Sequence, residues 1–252
     1  MLHVHSYETF ATQDGPGIRL VIFLQGCMFR CKYCQNPDTI PFGLPLSGEM
    51  SEGQRGLMSA EDILALAMKQ KEYFGDTGGV TFSGGEPLLQ AKELAPVLKL
   101  LQENGFHTCI DTNAYLLNEE VKECLKYTNH ILPDIKQVNP DKHKELTGLD
   151  NQHPMDFVRY LDAEQKTYRI RYVVVPERTD QEADIRLLGE FLQTLPNFQR
   201  IELLPYHNLG RSKRDKLGWE YPLEGVHAST VPELETVKKI LNEYTDNVFI
   251  RG

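Results

Sequence analysis

Three cysteines lie within eight residues of this 252-residue chain, at Cys27, Cys31 and Cys34. Their CxxxCxxC spacing follows directly on an apolar run that has the composition of a strand. Thiolates this close together in a chain with only five cysteines indicate a metal or cluster site. Three protein ligands leave one coordination position open, which favours chemistry at the metal over a purely structural role.

Two kinds of inorganic site are compatible with three thiolates. Structural zinc wants four ligands, usually as two CxxC pairs, and the sequence has no second pair. A four-iron cluster normally takes four cysteines, so with three of them one iron lacks a protein ligand and can bind a small molecule directly. The cluster is therefore the favoured interpretation, and zinc is the alternative. The spacing of Cys109 and Cys124 does not fit the loop, and we expect both to be buried spectators.

The composition argues against several classes of partner. The net charge of −9, from 27 basic and 36 acidic residues, makes a general nucleic-acid surface unfavourable. An odd, scattered set of cysteines is typical of a reducing compartment and not of a disulfide framework. No apolar run approaches the ~20 residues of a membrane helix, and the N-terminal MLHVHSYETF lacks the features of a secretory signal. We expect a cytoplasmic protein that binds neither nucleic acid nor membrane.

The cysteine loop belongs to a chain that alternates strand-like and helix-like segments. Predicted strands span residues 17–24, 79–82, 107–110, 130–135, 168–175, 200–204 and 247–250. Predicted helices span residues 59–73, 90–104, 118–127, 140–148, 154–164, 179–195 and 231–244. Residues 41–56, rich in Pro, Gly and Ser, are predicted to form a surface loop insertion.

Six or more βα units with apolar strands predict an α/β fold with a parallel sheet covered by helices. The length suits a single domain over residues 1–252, a partial (β/α)6 TIM-like barrel with the cluster loop after its first strand. The site would lie at the carboxyl ends of the strands, where polar and glycine residues gather. These ends are Gln25–Cys27, Ser83–Glu86, Asp111–Asn113, Asp134–Lys136 and Pro205–His207. A doubly wound open sheet is the alternative, although no GxGxxG follows the first strand.

CxxxCxxC after the first strand of such a chain resembles the radical S-adenosylmethionine (SAM) superfamily. A second motif, GGEP at Gly84 to Pro87, also matches that superfamily. The resemblance implies a [4Fe–4S] cluster whose open iron binds the amino and carboxylate groups of SAM. Reductive cleavage of SAM would give methionine and a 5′-deoxyadenosyl radical, which abstracts a hydrogen atom. The cofactors carry this chemistry, so no side chain is assigned a catalytic role.

Within that superfamily, the chain resembles the pyruvate formate-lyase activating enzymes. The matching segments are DGPGIR (14–19), GCMFRCKYCQNPDT (26–39), VTFSGGEPLLQ (80–90), HTCIDTNA (107–114), RYVVVP (171–176) and IELLPYHNLG (201–210). The resemblance implies an oxidoreductase of anaerobic metabolism that abstracts a glycine α-hydrogen from pyruvate formate-lyase. It also implies a flavodoxin or ferredoxin as electron donor, and a monomer.

Other functions remain open at this point. Related activases often carry a ferredoxin-like insert with further cysteine sets, and none lies between Cys34 and Val80. The alternatives are activation of another glycyl-radical enzyme, radical chemistry on a small molecule, and a zinc-binding module without catalysis.

The resemblance also assigns residues to the site. Cys27, Cys31 and Cys34 would hold the cluster, and Gln35 stands where the family usually has a titratable histidine. Two carboxylates beside one ligand repel unless a cation lies between them, and the resemblance implies a monovalent cation there. Its ligands would be Asp111, Thr112, Asp134 and the carbonyl of Leu132. Contacts to SAM are implied for Tyr33, Cys34, Gln35, Gly85, Asp134, Ile135, Lys136, Arg171 and His207.

Overall fold

A computed structural model describes residues 1–42 and 56–251 of the chain. Its strands are β1 (Leu2–Ala11), β2 (Arg19–Leu24), β3 (Leu57–Met58), β4 (Gly79–Gly84), β5 (His107–Thr112), β6 (His130–Pro133), β7 (Ile170–Val174), β8 (Ile201–Pro205) and β9 (Val248–Ile250). Its helices are α1 (Ala60–Phe74), α2 (Ala91–Glu103), α3 (Glu119–Lys126), α4 (Pro140–Thr147), α5 (Gln152–Ala163), α6 (Glu182–Gln193), α7 (Gly210–Lys216) and α8 (Val231–Leu241). Of the predicted surface loop, residues 43–55 lie outside the described residues.

The chain divides into two compact units. Unit 1 comprises Met1–Met28, Thr39–Thr112 and Leu116–Leu132, and unit 2 comprises Phe29–Asp38, Asn113–Tyr115 and Pro133–Gly252. The division passes through the cysteine loop, between Met28 and Phe29. A single domain over residues 1–252 stays a prediction.

Unit 1 is organised around a sheet with the strand order β3-β1-β2-β4-β5-β6. The pairs β2–β4 and β4–β5 are parallel, as predicted. Strand β2 is buried almost throughout, as expected for an apolar strand covered on both faces. The sequence analysis missed β1, which pairs antiparallel with β2. The cysteine loop therefore follows the second strand of the chain, because an antiparallel strand precedes the parallel series.

Unit 2 contains a parallel three-stranded sheet in the order β7-β8-β9. Asp134 adds an isolated parallel bridge to Arg171 of β7. Helix α4 begins after the cap Asn139, with Pro140 in its first turn, and ends at Gly148 in the left-handed conformation (φ 90°), as predicted. Helix α7 was not predicted.

Local sequence signals explain where the helices of unit 1 begin. Ser59 and Asp62 form both hydrogen bonds of the predicted capping box of α1. The side chain of Asn118 accepts from the amide of Val121 and caps α3. Within residues 1–42 and 56–251, none of the helices combines the length and apolarity that a membrane-spanning helix needs.

Candidate functional site

In unit 1, Cys27 lies beside the GGEP turn at the end of β2. The amides of Gly26 and Cys27 donate to the carbonyls of Thr39 (2.8 Å) and Ile40 (3.1 Å), which fixes the start of the cysteine loop. The amide of Glu86 donates to the carbonyl of Gly26 at 2.7 Å. Unit 1 therefore brings the first cysteine and the GGEP motif together at the ends of two adjacent parallel strands.

The two glycines of GGEP are required by close backbone contacts. A Cβ on Gly85 would lie 2.2 Å from the carbonyl oxygen of Gly26, so a side chain cannot be accommodated without moving backbone. Gly84 has a φ of +108°, and a Cβ there would lie 2.5 Å from the amide nitrogen of Leu24. This packing leaves the GGEP backbone close against the end of β2.

A network of hydrogen bonds joins the ends of β4 and β5. Glu86 is fully buried, and its carboxylate accepts from the amide of Leu88 at 2.9 Å and from the hydroxyl of Thr112 at 2.8 Å. The hydroxyl of Ser83 donates to the Asp111 carboxylate at 2.8 Å. The sequence analysis assigned no role to Glu86, because the motif shows a turn and not the partner of its acidic side chain.

In unit 2, the loop that carries Cys31 and Cys34 packs against α7. Cys31 is buried, Cys34 is partly buried, and the Cys34 amide donates to the Cys31 carbonyl at 3.1 Å. The buried guanidinium of Arg214 donates to that same carbonyl at 2.9 Å. A Cβ on Gly210 would lie 2.1 Å from the Cys34 carbonyl oxygen. Arg214 was missed by the sequence analysis, because nothing in the composition of α7 indicates its tertiary contact.

Lys136 forms the charged centre of the residues in unit 2. Its ammonium lies 2.6 Å from a carboxylate oxygen of Asp134 and 5.8 Å from the ring centroid of Tyr33. Burial opposes the charge, but the adjacent Asp134 carboxylate outweighs it and holds the pKa of Lys136 well above its usual value. Burial also raises the pKa of Tyr33, so its phenol is neutral.

Burial and nearby charges have opposite effects on the pKa of the Cys34 thiol. Burial raises the pKa of the Cys34 thiol, while the Asn36 amide, Lys136 and Arg214 lower it. Two cations near a thiol stabilise the thiolate, which is the form that binds iron.

Unit 2 also contains the remaining residues predicted to contact SAM. Ile135 and Arg171 are buried and joined by a backbone hydrogen bond of 3.0 Å, from the amide of Ile135 to the carbonyl of Arg171. Gln35 and His207 are exposed. The structure thus groups Tyr33 with Asp134 and Lys136, and Ile135 with Arg171.

The residues predicted to bind a monovalent cation are divided between the units. Asp111, Thr112 and Leu132 lie in unit 1, and Asp134 lies in unit 2. The Thr112 hydroxyl donates a hydrogen bond to the Glu86 carboxylate at 2.8 Å. Across the part of the chain that the structure describes, no group of three or more His, Cys, Asp or Glu side chains surrounds a single ion position. The three cysteines of a four-iron cluster bind three different irons, so they are not expected to surround one ion position.

The donor set fits a cluster with a polar ligand beside it. None of the three cysteines of the loop forms a disulfide with another described cysteine. The Tyr33 hydroxyl is buried and, among the described residues, has no hydrogen-bond partner. A buried phenol without a partner and a buried ammonium next to its ring are groups that a polar cofactor would satisfy.

The sequence matches known proteins over most of its length. A profile of the radical SAM superfamily matches residues 21–188. The chain is 42% identical over 248 residues to a pyruvate formate-lyase-activating enzyme of Streptococcus mutans, covering 96% of this chain and 91% of that protein.

Solved structures show the same fold. A domain of a pyruvate-formate lyase-activating enzyme from Bacteroides vulgatus matches with a TM-score of 0.59 at 28% identity, covering 69% of this chain and 99% of that chain. Streptococcus suis SuiB bound to its precursor peptide SuiA matches with a TM-score of 0.68 at 18% identity, covering 92% of this chain and 48% of that chain. The predicted α/β class, a partial TIM-like barrel with parallel strands, is confirmed.

Proposed function

This chain belongs to the radical SAM superfamily, in the family of pyruvate formate-lyase-activating enzymes, and we propose that it generates the glycyl radical of a pyruvate formate-lyase. The observation that carries the proposal is 42% identity over 96% of the chain to such an enzyme. This chain also contains the CxxxCxxC and GGEP motifs. The family is one of oxidoreductases that use a [4Fe–4S] cluster and SAM. When bound, these cofactors supply the electron that cleaves SAM and the 5′-deoxyadenosyl radical that removes the glycine α-hydrogen.

The chain's own residues would bind and orient the cofactors. Cys27, Cys31 and Cys34 would hold the cluster, leaving one iron for SAM. The backbone of Gly85, packed tightly against the end of β2, would receive the amino end of SAM. Lys136, whose raised pKa keeps it charged, would bind the carboxylate or ribose.

The proposal includes further contacts to SAM and a cation site. Tyr33, Gln35, Ile135, Arg171 and His207 would line the rest of the cofactor site. A monovalent cation would bind the oxygen atoms of Asp111, Thr112, Leu132 and Asp134, because hard cations prefer oxygen ligands. From the family we also propose a flavodoxin or ferredoxin as electron donor and a monomeric state. The odd, scattered set of five cysteines favours a cytoplasmic location.

One experiment tests the reaction directly. The anaerobically reconstituted, reduced protein is mixed with SAM and pyruvate formate-lyase, and electron paramagnetic resonance (EPR) is recorded. We expect the doublet of a glycyl radical and stoichiometric 5′-deoxyadenosine. Cys31→Ala should abolish both. Cys124→Ala, which removes a buried cysteine bonded to the Ala91 carbonyl at 3.0 Å, should retain both.

The same experiment separates the alternatives. Formation of 5′-deoxyadenosine without a radical on the partner would favour radical chemistry on a small molecule or on another glycyl-radical enzyme. A colourless protein with one zinc per chain would contradict the cluster itself.

A further inference from the structure

The end of α4 binds the backbone of the cysteine loop. The amides of Arg30 and Lys32 donate to the carbonyls of Thr147 (2.8 Å) and Leu146 (2.9 Å). The last carbonyls of an α-helix have no partner within the helix, and here Gly148 terminates α4 so that two of them face the loop. These two hydrogen bonds flank Cys31, one on either side in sequence.

Two buried side chains shape this helix end. The hydroxyl of Thr147 donates to the carbonyl of His143 at 2.9 Å, and the amide of Leu149 donates to the Thr147 hydroxyl at 3.3 Å. Nδ1 of His143 lies 2.8 Å from the Leu149 carbonyl oxygen, which can only accept, so Nδ1 carries the proton. Both side chains are completely buried. We call residues 143–149 the α4 turn.

The α4 turn also holds the loop through a side chain. Phe29 is buried and packs edge-on against the ring of His143, with ring centroids 5.6 Å apart and planes at 79°. Tyr115 also packs edge-on against the ring of Phe29, with ring centroids 5.4 Å apart. The loop is thus fixed at Phe29, Arg30 and Lys32, immediately before and after Cys31.

We propose that His143 and Thr147 are positioning residues that set the conformation of the loop around Cys31, and with it the hydrogen bonding available to the cluster. This inference rests on the proposed function. Because the α4 turn engages the amides of Arg30 and Lys32, these donors are unavailable to the cluster sulfurs. Hydrogen bonds to sulfur stabilise the more negative, reduced cluster and raise its reduction potential. The α4 turn therefore keeps the cluster a stronger reductant.

The test compares hydroxyl-deleting variants at two helix ends. Thr147→Val should make the reduction potential of the cluster less negative and should lower the retention of iron against a chelator by about tenfold. Tenfold is about the low end of the loss in metal affinity when a residue that supports a metal ligand is changed. Thr147→Ser retains the hydroxyl and should restore both values. The matched control is Thr128→Val, because the buried Thr128 hydroxyl donates to the carbonyl of Cys124 at 2.8 Å, four residues earlier, near the end of α3. That variant should match wild type in potential and iron retention.

Variants of His143 repeat the test without changing Thr147. His143→Leu removes the donor to Leu149 and should behave as Thr147→Val does. His143→Asn places an amide donor near the position of Nδ1 and should move both values back toward wild type. A Thr147→Val protein with the potential and iron retention of wild type would overturn the inference and leave the proposed function intact. A wild-type protein that binds no cluster would overturn both.

Discussion

At the scale of single residues, the contacts of Gly85 show how little space the cofactor motif has. Its α-carbon lies so close to the Gly26 carbonyl that a methyl group would force backbone to move. Gly85→Ala should therefore lower kcat/KM for SAM cleavage by about 100-fold, the cost of displacing a reacting group by roughly 1 Å. The measurement is 5′-deoxyadenosine formation under reducing conditions. Gly56→Ala is the control, because a Cβ there meets none of the described residues within 4 Å. Equal rates for the two variants would contradict the prediction.

Lys136 provides a second test at this scale. Lys136→Met keeps the length of the side chain but leaves the carboxylate of Asp134 without its ammonium partner. Breaking a buried ion pair in this way costs about 3 kcal/mol of folding free energy, and we expect a raised KM for SAM as well. Urea unfolding and initial rates at several SAM concentrations measure the two effects. Lys126→Met removes the partner of Glu123 on an exposed helix surface and should change neither value appreciably.

Residue types alone identified the cluster ligands and the GGEP motif, but not the residues that hold them in place. The cysteine motif and GGEP are defined by residue type and spacing, so the sequence alone is enough to identify them. The partner of Glu86 lies 26 residues away in the sequence, and that of Arg214 lies 183 residues away. His143 acts within a buried turn. A single sequence does not show such pairings. Their roles follow from tertiary placement only.

At the scale of elements, β2 depends on an arginine that is completely buried. Nε of Arg19 donates to the Thr81 hydroxyl at 2.8 Å, and its terminal nitrogens donate to the carbonyls of Val80 at 2.7 Å and Pro16 at 3.2 Å. Arg19 thereby joins the amino end of β2 to β4. Cys27 and GGEP lie at the carboxyl ends of these two strands.

Arg19→Met should therefore destabilise unit 1. It leaves buried acceptors without donors, each of which costs about 1–3 kcal/mol, so we expect a loss of about 3 kcal/mol. Denaturant unfolding of the cluster-free chain measures the loss. Arg186→Met, which removes exposed pairs with Glu182 and Glu243, serves as the control and should unfold close to wild type. An equal midpoint for Arg19→Met and Arg186→Met would contradict a structural role for Arg19.

Strands with a continuous apolar sequence and helices with capping residues could be predicted from the sequence. β2, β4 and β7 are apolar and nearly fully buried, so composition was enough to find them. β1 was missed because it pairs antiparallel, leaves one face partly exposed and carries polar residues at many positions. α7, with the sequence GRSKRDK, lacks an apolar stripe, and its helical conformation is maintained by contacts such as that of Arg214 with the cysteine loop.

At the scale of the whole molecule, acidification should act on stability through a histidine. Burial lowers the pKa of His143; the Leu149 carbonyl opposes this shift, and Lys136 adds to it. The folded pKa thus lies below the unfolded value of about 6.5. Proton binding then favours the unfolded chain, so this contribution to stability is complete above about pH 6.5 and is lost as the pH falls through the folded pKa.

Other shifted carboxylates can be separated from this effect. Hydrogen bonds led by that from His153 lower the pKa of Asp150 to about 2, so its contribution is lost only as the pH falls below its unfolded pKa. Burial raises the pKa of Asp180, and this group contributes in the opposite sense, with stability present at low pH and lost as the pH rises through the folded pKa. A comparison of variants cancels the contribution of Asp180, which does not act on His143. The charge of Asp150 raises the pKa of His143, but this is the smallest of the influences on that imidazole.

We therefore predict different pH profiles for wild type and His143→Asn. The melting temperature of the cluster-free wild-type chain should fall more steeply between about pH 7 and 5 than that of the variant, since asparagine does not titrate. The two curves should be furthest apart near neutral pH, where the neutral imidazole packs against Phe29 and donates to the Leu149 carbonyl, and should converge in acid. His207→Asn changes an exposed histidine and should retain the wild-type slope. Parallel curves for wild type and His143→Asn would show that the α4 turn tolerates a charged imidazole, and would contradict the assignment of His143 as its neutral, buried donor.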